Sequence, residues 1–212
     1  VEEGLRSGAV GFTTTRTVLH RAKDGELAAG TTATVEELLG LGDALGAAGA
    51  GVFGVASDMI DPAAEFEWMA ELSRRSGRPV TFGCLQDDLR PEHWRTYLEL
   101  AAAANSDGAR IVPQVAGRPA CLLFGWESSV HPFITHRAYR AIADLPLVER
   151  VAALRTPAVR RAILDEEVQR SGFGAILLSS FQKLFPLGDP PDYEPAPEQS
   201  VATIAAREGR TP

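Results

Sequence analysis

Apolar, β-branched runs recur along the first half of the chain at an even interval, and this spacing constrains the fold more than any other feature. The runs are Ala9 to Thr14 (AVGFTT), Gly51 to Ala56 (GVFGVA), Val80 to Leu85 (VTFGCL) and Arg110 to Val115 (RIVPQV). Val52 and Thr81 are 29 residues apart, as are Thr81 and Arg110. About 30 residues is the length of one βαβ unit. The intervening segments carry helix ends. Thr34 and Glu37 form a capping-box pair ahead of Leu38, Leu39 and Leu41, and the glycines Gly46 and Gly49 close that helix. Asp61 is an N-cap with Pro62 in the first turn, and Phe66, Met69 and Leu72 follow at three-residue steps until Gly77. Asp88 and Pro91 open a third helix with Trp94, Leu98 and Ala101 on one face and Gly108 beyond its end.

Strand and helix in strict alternation imply a parallel sheet with right-handed crossovers. The strand runs are nearly all apolar, which predicts burial on both faces, as in a closed barrel or a doubly wound sheet. No G-x-G-x-x-G follows any strand, so the phosphate fingerprint of a dinucleotide fold is missing. A (β/α)8 TIM barrel needs eight strands and about 250 residues. Four strands, with a fifth candidate at Ala175 to Ser179, therefore predict an α/β fold that is a partial barrel, about half of one. Residues 1–116 read as its consecutive βα units. Residues 117–185 read as a helical insertion plus the further strand, with the helix that begins at Thr156 and Pro157 expected to reach about Gly172. Residues 186–212 read as a linker with five prolines followed by a short helix capped by Ser200. Val1 to Gly8 reads as the end of a helix already under way, which points to a piece of a longer chain.

With 45% hydrophobic and 23% charged residues in 212, the chain has the composition of an ordinary globular protein. The net charge of -7 shows no basic stripe, so no nucleic-acid partner is expected. No apolar run approaches the roughly 20 residues of a membrane span, and no membrane partner is expected. Cys84 and Cys121, far apart and without a disulfide framework, suit a reducing cytoplasm.

In a parallel barrel the reactive groups sit where strands end. That rule picks out Thr15, Arg16 and His20 after the first strand, Ser57 and Asp58 after the second, Cys84, Gln86, Asp87 and Asp88 at the third, and Gln114, Arg118 and then His131 beyond the fourth. Arg16 offers a planar fork to a substrate carboxylate. An exposed loop arginine and a solvated loop imidazole at His20 are the structural alternatives. Cys84, in an apolar strand, reads first as a buried inert thiol. Asp58 is open between base and cap, and His131 between lid and structural roles. No H-x-H, H-E-x-x-H, paired C-x-x-C, G-x-S-x-G or Walker loop is present, so motif chemistry alone names no reaction.

The stretches GLRSGAVGFTTTR, EELLGL, GVFGVASD and GRPVTFGCLQ, with the tail DYEPAPEQSVATIAAREGRTP, together resemble the middle of the amidohydrolase superfamily, in its D-aminoacylase or N-acyl-D-amino-acid deacylase-like branch. Members usually read GA-x-GFS-T-S at the first of these places. The resemblance implies a hydrolase of carbon–nitrogen bonds other than peptide bonds, with zinc activating a water in the complete enzyme. It places two ligand histidines near Ala56 and Cys84, where this sequence has neither, so no metal is expected within this piece. A relative that kept the barrel but lost the metal, and binds a small carboxylate or amide, is the other reading. A small-molecule substrate and a homodimer or larger homo-oligomer through exposed strand edges are the expected partners.

Overall fold

A computed structural model describes residues 1–22, 24–87, 90–118, 121–128, 131–168 and 180–212. The chain divides into two compact units, Val1–Ala120 and Cys121–Pro212.

The first unit runs α1 (Glu2–Arg6), β1 (Gly11–Arg16), α2 (Val35–Ala48), β2 (Val52–Ser57), α3 (Pro62–Ser76), β3 (Val80–Gly83), α4 (His93–Ser106) and β4 (Ile111–Gln114). The four strands form one parallel sheet in the order β1-β2-β3-β4. The local signals act where the sequence puts them. Thr34 accepts the Glu37 backbone N–H at 3.3 Å, and Gly49 ends α2 in the left-handed conformation at φ 64°. The Asp61 carboxylate accepts the Ala64 N–H at 3.2 Å with Pro62 in the first turn of α3. The capping box at α2 is half made, since only the Thr34 bond forms. The α4 helix starts two residues after Pro91, with no side-chain cap; Asp88, its expected cap, lies outside the described residues.

Sequential strand order combined with right-handed crossovers puts every connecting helix on the same face of the sheet. Strand register then sorts the side chains. Phe12, Phe53, Val80 and Ile111 lie in one cross-strand row, and Thr14, Val55, Phe82 and Pro113 in another. These rows meet the helices: Phe53 packs edge-on against Trp68, and Phe82 does the same against Phe66 and Tyr97. Phe53, Val80, Phe82 and Ile111 are almost completely buried, together with Leu38, Leu45, Met69 and Leu72 from the helices.

The intervening rows are Thr13, Gly54, Thr81, Val112 and Thr15, Ala56, Gly83, Gln114. They lie on the opposite face, and Thr13, Gly83, Val112 and Gln114 are exposed. Burial of both faces, expected from the apolar strands, is therefore corrected: within the described residues one face is buried. The alternation escapes a sequence reading because the second face carries Gly, Ala and Thr rather than charges, and Gly and Ala count as apolar while covering almost nothing.

The second unit contains α5 (Arg137–Arg140), α6 (Leu147–Leu154), α7 (Pro157–Leu164), two 3-10 turns (Phe181–Lys183 and Pro197–Gln199) and α8 (Val201–Arg207). Thr156 caps α7 and Ser200 caps α8. The α7 helix stops at Leu164, short of the expected Gly172. Just beyond its end, Glu166 accepts the Arg137 and Ala138 N–H groups at 2.8 and 3.1 Å, capping α5 from a distance. The fifth strand candidate, Ala175 to Ser179, lies outside the described residues. No described helix is long and apolar enough to cross a membrane.

Candidate functional site

A cleft of about 700 Å³ spans the sheet of the first unit, lined from its helix-free face and also, around β1, by Phe12 and Thr14 of the helix-facing rows. Its floor is Ala56 and Gly83, with Gly54 beside them covered by the methyl groups of Thr13 and Thr81. Thr13 and Thr15 form one wall, Gln114 the other. Glu37 and Leu41 of α2, with Gly30 and Ala33 of the β1–α2 loop, extend the lining around β1. Gly30 has φ 89°, and a side chain there would strike the Thr14 hydroxyl, so the loop reaches this close only with glycine.

His20 lines the cleft with its Nδ1 2.9 Å from the Thr15 hydroxyl. The same hydroxyl oxygen accepts the Thr17 N–H at 3.4 Å, and the His20 carbonyl accepts the Ala28 N–H at 3.0 Å. The Thr81 hydroxyl is committed to the Val112 carbonyl. Among the described residues, the side chains of Thr13 and Gln114 have no hydrogen-bond partner.

Of the strand-end residues, the fold brings Thr15, His20 and Gln114 into this cleft. Arg16 is elsewhere. It shares the parity of Phe12 and Thr14, so it points to the helices. Its Nε donates to both Glu65 carboxylate oxygens at 3.0 and 3.2 Å, and its Nη1 to the Ala33 carbonyl at 2.8 Å. Trp68 lies beneath the guanidinium and donates its indole N–H to the same carboxylate at 3.1 Å. The Arg16 fork thus grips a carboxylate, but one belonging to the chain itself. Asp58 ties two strand-end loops, accepting the Thr17 hydroxyl at 2.5 Å and the Val18 N–H at 2.9 Å. Arg90 donates to the Asp58 and Met59 carbonyls beside it, and buried Met59 is held at φ 47°. Gln86 is exposed and reaches the Pro91 carbonyl at 3.5 Å. His131 belongs to the second unit. It is buried between Trp126 and Tyr139, with ring centroids 5.3 and 4.5 Å away, and its Nδ1 accepts the Phe133 N–H. Burial, then the Arg150 charge and His136, holds its pKa below the ordinary 6.5.

The cleft residues outside the strand-end set are Thr13, Thr81 and the glycine floor. Strand parity was the available signal: if Phe12 faces the core, residues 13 and 15 face away from it.

The donor set at the positions resembling metal ligands does not fit zinc. Ala56 offers a methyl group. Cys84 is buried, and burial raises its thiol pKa, which favours the protonated form over the thiolate a metal needs. Among the described residues, no three His, Cys, Asp or Glu side chains converge as a metal site.

Comparison with protein-family models, with curated proteins and with solved structures finds no match for this chain.

Proposed function

We propose that the first unit is a section of a (β/α)8-type barrel, amidohydrolase-like in its motifs, which binds a small organic molecule at the strand ends without a metal of its own. The observation that carries this reading is the cleft over the row Thr15, Ala56, Gly83 and Gln114. Its 700 Å³ is within the usual range for small-ligand sites. Its polar groups converge from β1, β4 and the β1–α2 loop over a floor of small residues. The consecutive strand order supports the barrel, because a sheet wound always in one direction keeps its second face free for an interior. The test is a titration of isotopically labelled protein with small amides and carboxylates. Resonances of Thr15, Ala56, Gly83 and Gln114 should shift together; ligands that leave all four unmoved would refute the site.

A second reading, hydrolysis of a carbon–nitrogen bond with a metal-activated water, is supported by the sequence resemblance alone. Metal analysis combined with acyl-amino-acid turnover tests it, and metal-free, inactive protein counts against it. The unpaired outer edges of β1 and β4 within the described sheet support self-association through strand edges. Sedimentation should show a dimer or larger species, and a stable monomer would count against that. Free Cys84 and Cys121 are compatible with a cytoplasmic setting.

A further inference from the structure

We propose that His131 is an acid-sensitive latch in the second unit: on taking up a proton its imidazole leaves an aromatic cage and opens the His131–His136 turn, while the first unit stays folded. This inference concerns the second unit alone and does not depend on the cleft.

The cage is closed around a neutral ring. His131 is 6% exposed and stands edge-on to Trp126 and Tyr139. Trp126 in turn stacks on Phe133 and Tyr139. The His131 Nδ1 accepts the Phe133 N–H at 3.2 Å, which places the single proton of the neutral ring on Nε2. Charging the ring puts a second proton on Nδ1. The acceptor then becomes a donor set against the Phe133 N–H, which is left with nothing to bond. The rest of the turn is held by only two backbone bonds, Ile134 N–H to the His131 carbonyl and His136 N–H to the Phe133 carbonyl. Losing the Nδ1 bond therefore frees the segment that presents Phe133 to Trp126.

The charges around the ring act in the same direction. Arg150 of α6 donates through Nη1 to the Trp126 carbonyl at 2.6 Å and to the Tyr139 hydroxyl at 3.1 Å, which holds the guanidinium beside the cage. Its Nε is buried without a partner, and among the described residues no carboxylate pairs with it. From α5 come His136, itself buried with an unpartnered Nδ1, and the Tyr139 hydroxyl already engaged by Arg150. Glu166 accepts the Arg137 and Ala138 N–H groups and acts on His136, not on His131. An imidazolium at His131 would thus stand near an unpaired guanidinium with no anion to offset it. The faces of Trp126 and Tyr139 attract a cation, but by less than the hydration it gives up on burial. Burial, then Arg150 and His136, accordingly hold the pKa of the caged ring below the ordinary 6.5. Rotated out into water, the ring regains that ordinary value. Opening then takes up a proton, so the closed form is favoured above 6.5 and each step down in pH below it favours the open one, until the caged ring itself titrates.

The experiment follows hydrogen exchange of the Phe133 amide in the full chain from pH 7.5 to 5, expressed as a protection factor so that the chemical pH dependence of exchange is removed. Protection should fall below 6.5 by up to about tenfold per pH unit, the slope of one proton, while core amides of β2 and β3 keep theirs. His131→Phe retains an aromatic ring that cannot take a proton, and its Phe133 protection should be flat over the same range. Arg150→Gln keeps a donor for the Trp126 carbonyl and removes the charge. Whatever its protection at pH 7.5, the total loss on acidification should be smaller than in wild type, which tests the latch even where His131→Phe does not fold. Protection that stays level to pH 5 in wild type overturns the proposal. An acid slope that survives in His131→Phe also overturns it, by assigning the proton to another group, as does an acid-driven loss of unchanged size in Arg150→Gln. Amides of β2 and β3 that lose protection with the same slope replace the latch with unfolding of the whole chain.

Discussion

Replacing Glu65 with alanine should unfold the first unit more readily than any other single change at the strand ends. The carboxylate serves two half-hidden partners at once: the Arg16 Nε through both oxygens and the Trp68 indole N–H through one. The Arg16 and Glu65 side chains are 22% and 13% exposed, so water screens the pair only in part. Trp68 is 3% exposed, and its N–H would be left with no acceptor. An orphaned buried donor costs about 1–3 kcal/mol, and a hydrogen bond to a charged group contributes about 1.5–3 kcal/mol. The two losses share one carboxylate and do not add fully, which leaves about 2–4 kcal/mol for Glu65→Ala. Glu65→Gln keeps one carbonyl oxygen, enough for Trp68 or Arg16 but not both, and should cost about 1–2 kcal/mol. A chain of two units need not unfold in one step. The assay is therefore native-state hydrogen exchange in denaturant, read at β1 and α3. A double-mutant cycle with Arg16→Ala should show coupling of about 1 kcal/mol or more. Glu65→Ala within about 0.5 kcal/mol of wild type, with exchange in α3 unchanged, would refute this account of the strand-end packing.

Two glycines in α2 should respond in opposite directions. A Cβ on Gly42 would fall 2.5 Å from Cγ of the fully buried Leu72, so Gly42→Ala should destabilise by about 1–3 kcal/mol. Gly40 has nothing within 4 Å, and Gly40→Ala should stabilise the same helix by about 0.5–1 kcal/mol, both read by the same exchange measurement. Exposed Cys121 should react with a thiol reagent at neutral pH well before Cys84, whose burial both raises its pKa and blocks access; equal labelling rates in native protein would contradict this. In the second unit, His131 has a folded pKa below its unfolded value. The unfolded chain therefore takes up the proton first, and the stability His131 contributes is complete above 6.5 and falls away as the pH drops below it. His131→Phe should flatten the acid limb of a pH series of hydrogen exchange over Trp126 to Tyr139.

The parts of the fold legible in the sequence are those written in short-range code. The caps at Thr34, Asp61, Thr156 and Ser200 each act on a backbone N–H three residues on, so residue type and spacing suffice to place them. The limit of α7 shows the opposite case. It ends at Leu164, and just beyond it Glu166 bonds the α5 backbone 28 and 29 residues away, a pairing that no local pattern names. The nominations at strand ends divide in the same way. Being near the end of a strand is a sequence property, and it brought forward His20 and Gln114, which line the cleft, as well as Asp58, which joins loops instead. Which side of the strand a residue occupies is set by parity, and Arg16 falls on the side opposite to Thr15.

The repeating βα units and the caps of α2 and α3 could be read from the sequence, because each depends on a pattern within a single short segment. Tertiary structure alone decided that Arg16 meets Glu65 across 49 residues, that His20 folds back onto Thr15, and that Thr15 and Gln114 share a row across a bare floor. Those relations depend on strand register and on the face each crossover covers, and both are fixed only when distant segments pack together to exclude water from a common core.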